Sequence, residues 1–233
     1  MRVMARGFFS SRERPISEST SEHTQSSPNL FVNGIGLFPG PDGAEKYEEF
    51  ARNQDAKWAR VYNTGSLAKD VWHVVRATPR PFTSRARPTA FNGLKDPDIT
   101  DCHYDTVYAY SGGTRTVVTA IRKYNLRCRK LFLISPVRVV PAATFKKELE
   151  KLLKNEASGG CGVKEIEIYQ SIKDDLPFGR AYQAYFDTGD PWLNGKNIKI
   201  NEVPLPFSSW PWTGKEAHRI LFKEVSKLLM CSQ

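Results

Sequence analysis

This sequence predicts an α/β fold, a mostly parallel sheet with helices on both faces in three layers, and three observations predict it. Short β-rich or apolar runs alternate with amphipathic helical stretches from about residue 30 to the end. Runs such as Leu30-Phe31-Val32 and the KLFLIS stretch at 130–135 have apolar residues side by side, as strands buried on both faces do. The 233 residues, 40% of them hydrophobic, suffice for one well-buried domain and fall short of two large ones.

Residues 1–28 carry seven serines, four arginines and three glutamates with no apolar periodicity, which predicts a flexible leader ahead of a single domain over 29–233. Leu30 to Val32 reads as a buried strand that delivers the chain to the tight turn Asn33-Gly34-Ile35-Gly36. Between Gly43 and Arg52, Ala44, Tyr47, Phe50 and Ala51 fall at helical spacing. The unit repeats with a strand at Ala59 to Tyr62, a turn and helix N-cap at Asn63 to Ser66, and a helix from Leu67 to Val75. Four prolines and five basic residues over 76–98 predict a long irregular loop. Next come a strand over Thr106 to Tyr110, the turn Ser111-Gly112-Gly113, and a helix whose stripe is Val117, Val118, Ala120, Ile121 and Tyr124. A strand at Lys130 to Ser135, a helix at Ala142 to Lys154, strands at Ile166 to Tyr169 and Ile198 to Val203, and a helix from about Gly214 to Leu229 close the series.

Composition narrows the function classes. A formal charge of +9 admits anionic partners, yet no nucleic-acid-binding motif is present, so specific nucleic-acid recognition is not expected. Arg76, Arg80, Arg85 and Arg87 form either a solvated basic loop or a surface that steers an anionic substrate or membrane face. No run reaches the roughly 18–20 apolar residues of a membrane span, and Arg6 and Arg12 interrupt any signal-peptide core. A cytoplasmic location is the expectation, with export by a route that needs no signal peptide left open. Cys102, Cys128, Cys161 and Cys231 are too scattered for a zinc site or a disulfide framework. Phosphate-loop and dinucleotide fingerprints are absent, so neither a metal nor an organic cofactor is called for. Trp192, Trp210, Trp212 and Phe207 either pack the last helix onto the sheet or line a rim that grips an acyl chain.

The chemistry centres on Ala109-Tyr110-Ser111-Gly112-Gly113, a small-x-Ser-x-Gly pattern between a predicted strand and a predicted helix. Positions two before and two after the serine must be small because strand and helix backbones approach there. The residue after the serine opens the helix, so the Gly112 N–H can point at a developing oxyanion. The plainer alternative makes Ser111 only a helix cap.

These residues resemble an α/β-hydrolase. FVNGIG (Phe31 to Gly36) is similar to the strand and loop that supply the oxyanion hole, VYAYSGGT (Val107 to Thr114) to the nucleophile elbow, LFLISPV (Leu131 to Val137) to the strand after the elbow helix, and EIYQSIKDDLP (Glu167 to Pro177) to the strand and turn that carry the acid. The resemblance implies a serine hydrolase acting on a carboxylic ester, a lipid acyl ester or a thioester. It implies Ser111 as nucleophile, Asp174 as the acid with Asp175 as its neighbouring alternative, and His218 as the base. Gly112 and either Ile35 or Gly36 would supply the oxyanion donors. The family's base usually precedes the last helix, and the corresponding stretch from Pro204 to Trp212 has no histidine. His218 lies later, in the first turns of that helix, as base or as a helix-surface residue. His103 and His73 read as structural. A catalytically silent binding or interaction module of the same fold is the alternative function.

Overall fold

Six strands form one all-parallel sheet in the order β2-β1-β3-β4-β5-β6: β1 Asn29–Val32, β2 Ala56–Ala59, β3 His103–Tyr110, β4 Arg127–Ile134, β5 Glu165–Gln170 and β6 Ile198–Glu202. The computed structural model describes residues 28–34, 41–59, 103–123, 125–137, 140–154, 162–174, 184–205 and 214–231. Its helices are α1 Pro41–Asn53, α2 Gly113–Lys123, α3 Ala142–Lys154 and α4 Gly214–Met230, with a short 3-10 turn at Pro191–Leu193. The expected leader, the helix at 67–75 and the loop at 76–98 lie outside the described residues.

The order of winding decides which helix covers which face. From β1 the chain moves one way to β2, and from β3 it moves the other way through β4, β5 and β6. Crossovers between parallel strands are right-handed, so reversing direction puts α1 on the face opposite α2 and α3, and α4, which follows the last strand, packs on the α1 face. One buried cluster joins Leu30, Val32, Val107, Ala109, Leu131 and Leu133 of the sheet to Val117 and Ile121 of α2 and Phe145 and Leu149 of α3. The other joins Phe31, Tyr108, Tyr110, Phe132 and Ile134 to Phe50 of α1 and Leu221, Phe222 and Val225 of α4. Alternate residues of each central strand thus feed two cores, which is why those strands carry unbroken apolar runs.

The largest departures from the expected boundaries are at β2, β3 and β4, which each begin three residues early; β2 shares only Ala59 with the expected Ala59 to Tyr62, whose other residues lie outside the described ones. The added residues of β3 and β4 include exposed polar ones, and the ladder still runs through them. His103 pairs with Arg127, and Arg129 forms a two-pronged ion pair with Asp105 at 2.6 and 3.0 Å. Hydrophobicity marks where a strand is covered, whereas pairing continues to the edge of the sheet.

Register aligns the carboxyl ends. Val32 pairs with Ala109, Ala109 with Leu133, and Leu133 with Ile168. The residues just beyond, Asn33-Gly34 after β1, Ser111 after β3 and Ser135 after β4, therefore emerge along one rim. In open parallel sheets ligands bind at that rim where the winding reverses. Here the reversal falls between β1 and β3, between Gly34 and Ser111.

Candidate active site

Ser111 sits on a sharp bend. Its N–H donates to the Ile134 carbonyl at 2.9 Å, extending the ladder one residue past β3, and its φ of 53° then turns the chain into α2. A left-handed backbone costs a serine about 1–2 kcal/mol, which the neighbouring packing must sustain. The amides of Thr114 and Arg115 are taken by the carbonyls of Ser111 and Gly112, both at 3.1 Å, so they need no cap from the Ser111 hydroxyl. Helix α2 has no acidic residue in its first turn, leaving the positive end of its dipole beside Ser111 uncompensated.

Two glycines permit this bend. A Cβ on Gly113 would lie 2.5 Å from the Val32 carbonyl oxygen and 2.6 Å from that of Asn33, so the start of α2 presses on the end of β1. A Cβ on Gly34 would lie 2.5 Å from Ser111 Cβ and 3.0 Å from its Oγ. The small residues expected at 109 and 113 are thus accounted for at 113 by direct contact, and Ala109 is fully buried in the core. Gly34 is a requirement that the serine pattern alone does not reveal. Asn33 frames it: its Nδ2 donates to the Gly34 carbonyl at 2.7 Å while Trp58 Nε1 donates to its Oδ1 at 3.2 Å.

Asp174 and His218 meet in the interior. Asp174 is 1% exposed and His218 6%, so the helix-surface alternative for His218 is not what the fold adopts. A turn after β5, closed by the Asp174 N–H on the Ser171 carbonyl at 3.0 Å, brings the carboxylate to within 3.0 Å of His218 Nδ1 at both oxygens. The imidazole stacks on the Tyr110 ring with centroids 4.9 Å apart and planes at 24°, and the Tyr110 hydroxyl donates to the His218 carbonyl at 3.2 Å. Burial pushes the Tyr110 phenol well above its ordinary pKa, with smaller contributions from Tyr47 and Asp174, so it stays a neutral donor. The other ring nitrogen, Nε2, is buried and has no hydrogen-bond partner among the described residues. The Ser111 hydroxyl is therefore not bonded to it in this structure, although the ring is stacked on the residue that immediately precedes Ser111.

Ser135 is the member of this group that motif reasoning does not single out. It follows β4 as Ser111 follows β3, donates its N–H to the Tyr169 carbonyl at 2.8 Å, and has a φ of 46°. Its hydroxyl donates to Asp174 Oδ2 and lies 2.8 Å from His218 Nδ1. A serine directly after an apolar strand and before Pro136 was a visible signal, although no motif marks it.

Directly behind the bend, Arg115 is fully buried, its Nη1 on Glu148 Oε2 at 2.5 Å while Arg122 reaches Glu148 Oε1 at 2.8 Å. This ion-pair group ties α2 to α3 and anchors the first turns of the helix on which the bend is built.

The remaining expected residues fall elsewhere. Gly112 lies in the turn between Ser111 and α2, whereas Ile35, Gly36 and Asp175 lie outside the described residues, as do His73, Phe207, Trp210, Trp212 and Arg76, Arg80, Arg85 and Arg87. His103 begins β3, at the opposite end of that strand from Ser111. Trp192 packs, with Phe186 stacked on it at 5.6 Å, against the α2 and α3 core, on the other side of the sheet from His218. Its Nε1 donates to Glu150 of α3 at 2.8 Å, so this half-buried aromatic packs beside α3 and does not pack the last helix onto the sheet as expected. No helix among the described residues is long and apolar enough to cross a membrane. Comparison of the chain with protein-family models, with curated proteins and with solved structures finds no match in any of the three.

Proposed function

We propose that the chain is an α/β-hydrolase-type serine hydrolase that cleaves a carboxylic ester, a lipid acyl ester or a thioester through an acyl-enzyme on Ser111. One observation carries the proposal: a buried Asp174–His218 pair is stacked against Tyr110, one residue from a serine on a left-handed strand-to-helix bend, and its Nε2 has no partner among the described residues. That is the set of groups acyl transfer needs, in the order nucleophile, acid, base along the chain.

In this reading His218 Nε2 takes the Ser111 proton as Oγ attacks the substrate carbonyl carbon, and Asp174 holds the Nδ1–H so that the imidazolium is stabilised and correctly turned. The carbonyl oxygen becomes an oxyanion beside the Gly112 N–H and the positive end of α2, a donor typically worth about 3 kcal/mol of barrier. His218 passes the proton to the leaving alkoxide or thiolate, which departs as alcohol or thiol and leaves the acyl group on Ser111. Water, deprotonated by the same Nε2, then attacks the acyl carbon, releases the carboxylic acid and restores Ser111.

A fluorophosphonate probe tests this. Ser111 is expected to be modified in the full chain, and modification to be lost in His218→Ala and Ser111→Ala variants that retain their circular dichroism spectrum. The unmade bond between Nε2 and Oγ favours the second reading, a binding module of the same fold without turnover; an unlabelled Ser111 in folded protein decides for that reading and against hydrolysis. A panel of short and long acyl p-nitrophenyl esters then sorts substrates by chain length.

A further inference from the structure

His218 Nδ1 faces three acceptors, and only two belong to the acid. Both Asp174 oxygens stand 3.0 Å away, and Ser135 Oγ stands 2.8 Å away. A hydroxyl has one proton and two lone pairs, so it can donate to Asp174 Oδ2 and at the same time accept from Nδ1–H. Two equidistant carboxylate oxygens leave the carboxylate free to roll about its own axis; a third contact to one of them removes that freedom.

We propose that Ser135 is a positioning residue whose hydroxyl locks the Asp174 carboxylate and the His218 ring into one arrangement, with Nδ1 protonated and Nε2 left as the proton acceptor. The proposal rests on the hydrolase reading above and adds to it a fourth side chain that acts through His218. Ser135 is fully buried, so it does not touch substrate. The backbone explains how it reaches the pair. After the 2.8 Å ladder bond to Tyr169 the chain turns left-handed at Ser135, as it does one strand away at Ser111. Adjacent strands lie about 4.8 Å apart, so the two bends place both serines at the same end of the sheet, one at the acid and one at the substrate side. A serine occupies a conformation that glycine would adopt without penalty, and the hydroxyl is what glycine would lack.

Two variants separate the hydroxyl from the backbone. Ser135→Ala removes the hydroxyl and keeps the left-handed penalty, whereas Ser135→Gly removes both. The full-length variants are expected to share a fall of about tenfold in the rate of fluorophosphonate labelling and in kcat for p-nitrophenyl acetate, with KM within about twofold of wild type, as for a group that acts only as the barrier is crossed. Ser135→Gly is expected to melt no lower than Ser135→Ala. In an Asp174→Asn background the further change to Ser135→Ala is expected to alter labelling by less than about twofold, because groups that act as a unit are not additive. A readout independent of turnover is the far-downfield proton NMR line of His218 Nδ1–H, assigned by its loss in His218→Gln, which should shift or broaden in both Ser135 variants. If wild-type Ser111 is not labelled, the hydrolase reading falls and the NMR line alone decides the role of Ser135. Absence of that line in wild type, the same line in both variants, or full activity in Ser135→Gly overturns the positioning role.

Discussion

Gly34→Ala probes the close approach of β1 to the Ser111 bend. The new Cβ would begin 2.5 Å from Ser111 Cβ and 3.0 Å from both Ser111 Oγ and the Tyr110 carbonyl oxygen. Ordinary contact starts near 3.4 Å, so the two segments must part by 3.4 − 2.5 = 0.9 Å. None of the three atoms lies at the far end of a flexible side chain, and the Ser111 N–H is tied to Ile134 at 2.9 Å, so the movement falls on the bend itself. Displacements of about 1 Å at a reacting group cost on the order of 100-fold in rate, and overpacking of this kind costs about 1–3 kcal/mol of stability. The labelling rate at Ser111 in Gly34→Ala should therefore fall by about two orders of magnitude. Thermal melting should fall by several degrees, at roughly 2–4 °C per kcal/mol for a chain of this size. Gly189→Ala is the control: its Cβ would meet only Asp187 Oδ1, at 3.6 Å, and neither quantity should move. A folded Gly34→Ala protein with wild-type labelling and wild-type melting would refute the close approach of β1 to Ser111.

Three further outcomes follow from buried groups. Glu148→Gln leaves the fully buried Arg115 without its counter-charge and should destabilise the fold by about 3–5 kcal/mol by chemical denaturation, while Arg115→Met with Glu148→Leu should recover most of that loss. Tyr110→Phe keeps the ring stacked on His218 and should label nearly as wild type, whereas Tyr110→Leu removes the stacking surface and should label at least about tenfold more slowly; equal rates in the two would show that the ring does not hold the imidazole. Alkaline titration gives the third. Burial raises the Tyr108 phenol to about 12 and Tyr110 well above its ordinary value, so above about pH 10 the unfolded chain loses protons that the folded chain keeps. Stability from these groups is then fully present below the unfolded pKa and declines as pH rises, by up to about 1.4 kcal/mol per pH unit for each tyrosine. Urea midpoints that stay flat between pH 9 and 11 would contradict their burial.

The alternation of elements was legible along the chain because each strand between two helical layers must be apolar on both sides and each helix on one. The expected α3 at 142–154 coincides with the observed helix, and of its expected stripe Phe145, Leu149 and Leu152 are buried while Leu153 is half-buried against the same core. Ser111 was legible for the same local reason, since a bend between strand and helix needs small neighbours within a few residues. What did not show was anything that depends on two strands at once. Gly34 is required by a serine 77 positions away, as the numbering of the two residues gives. Ser135 is defined by Asp174 and His218, which reach it from two other parts of the chain.

Sequence by itself therefore determined the class of fold, the order of its layers and the serine at the strand-to-helix bend, because periodicity and turn chemistry act over short spans of chain. Tertiary structure alone decided that His218, five residues into the last helix rather than in the loop before it, reaches Asp174. A helix has its own rotation and height against the sheet, set by how Leu221, Phe222 and Val225 pack on Phe31 and Tyr110, and no local pattern encodes that docking. The stacking of His218 on Tyr110 and the contacts of the Ser135 hydroxyl with Asp174 and His218 follow from the same docking, since contacts between distant segments exist only once the layers have closed.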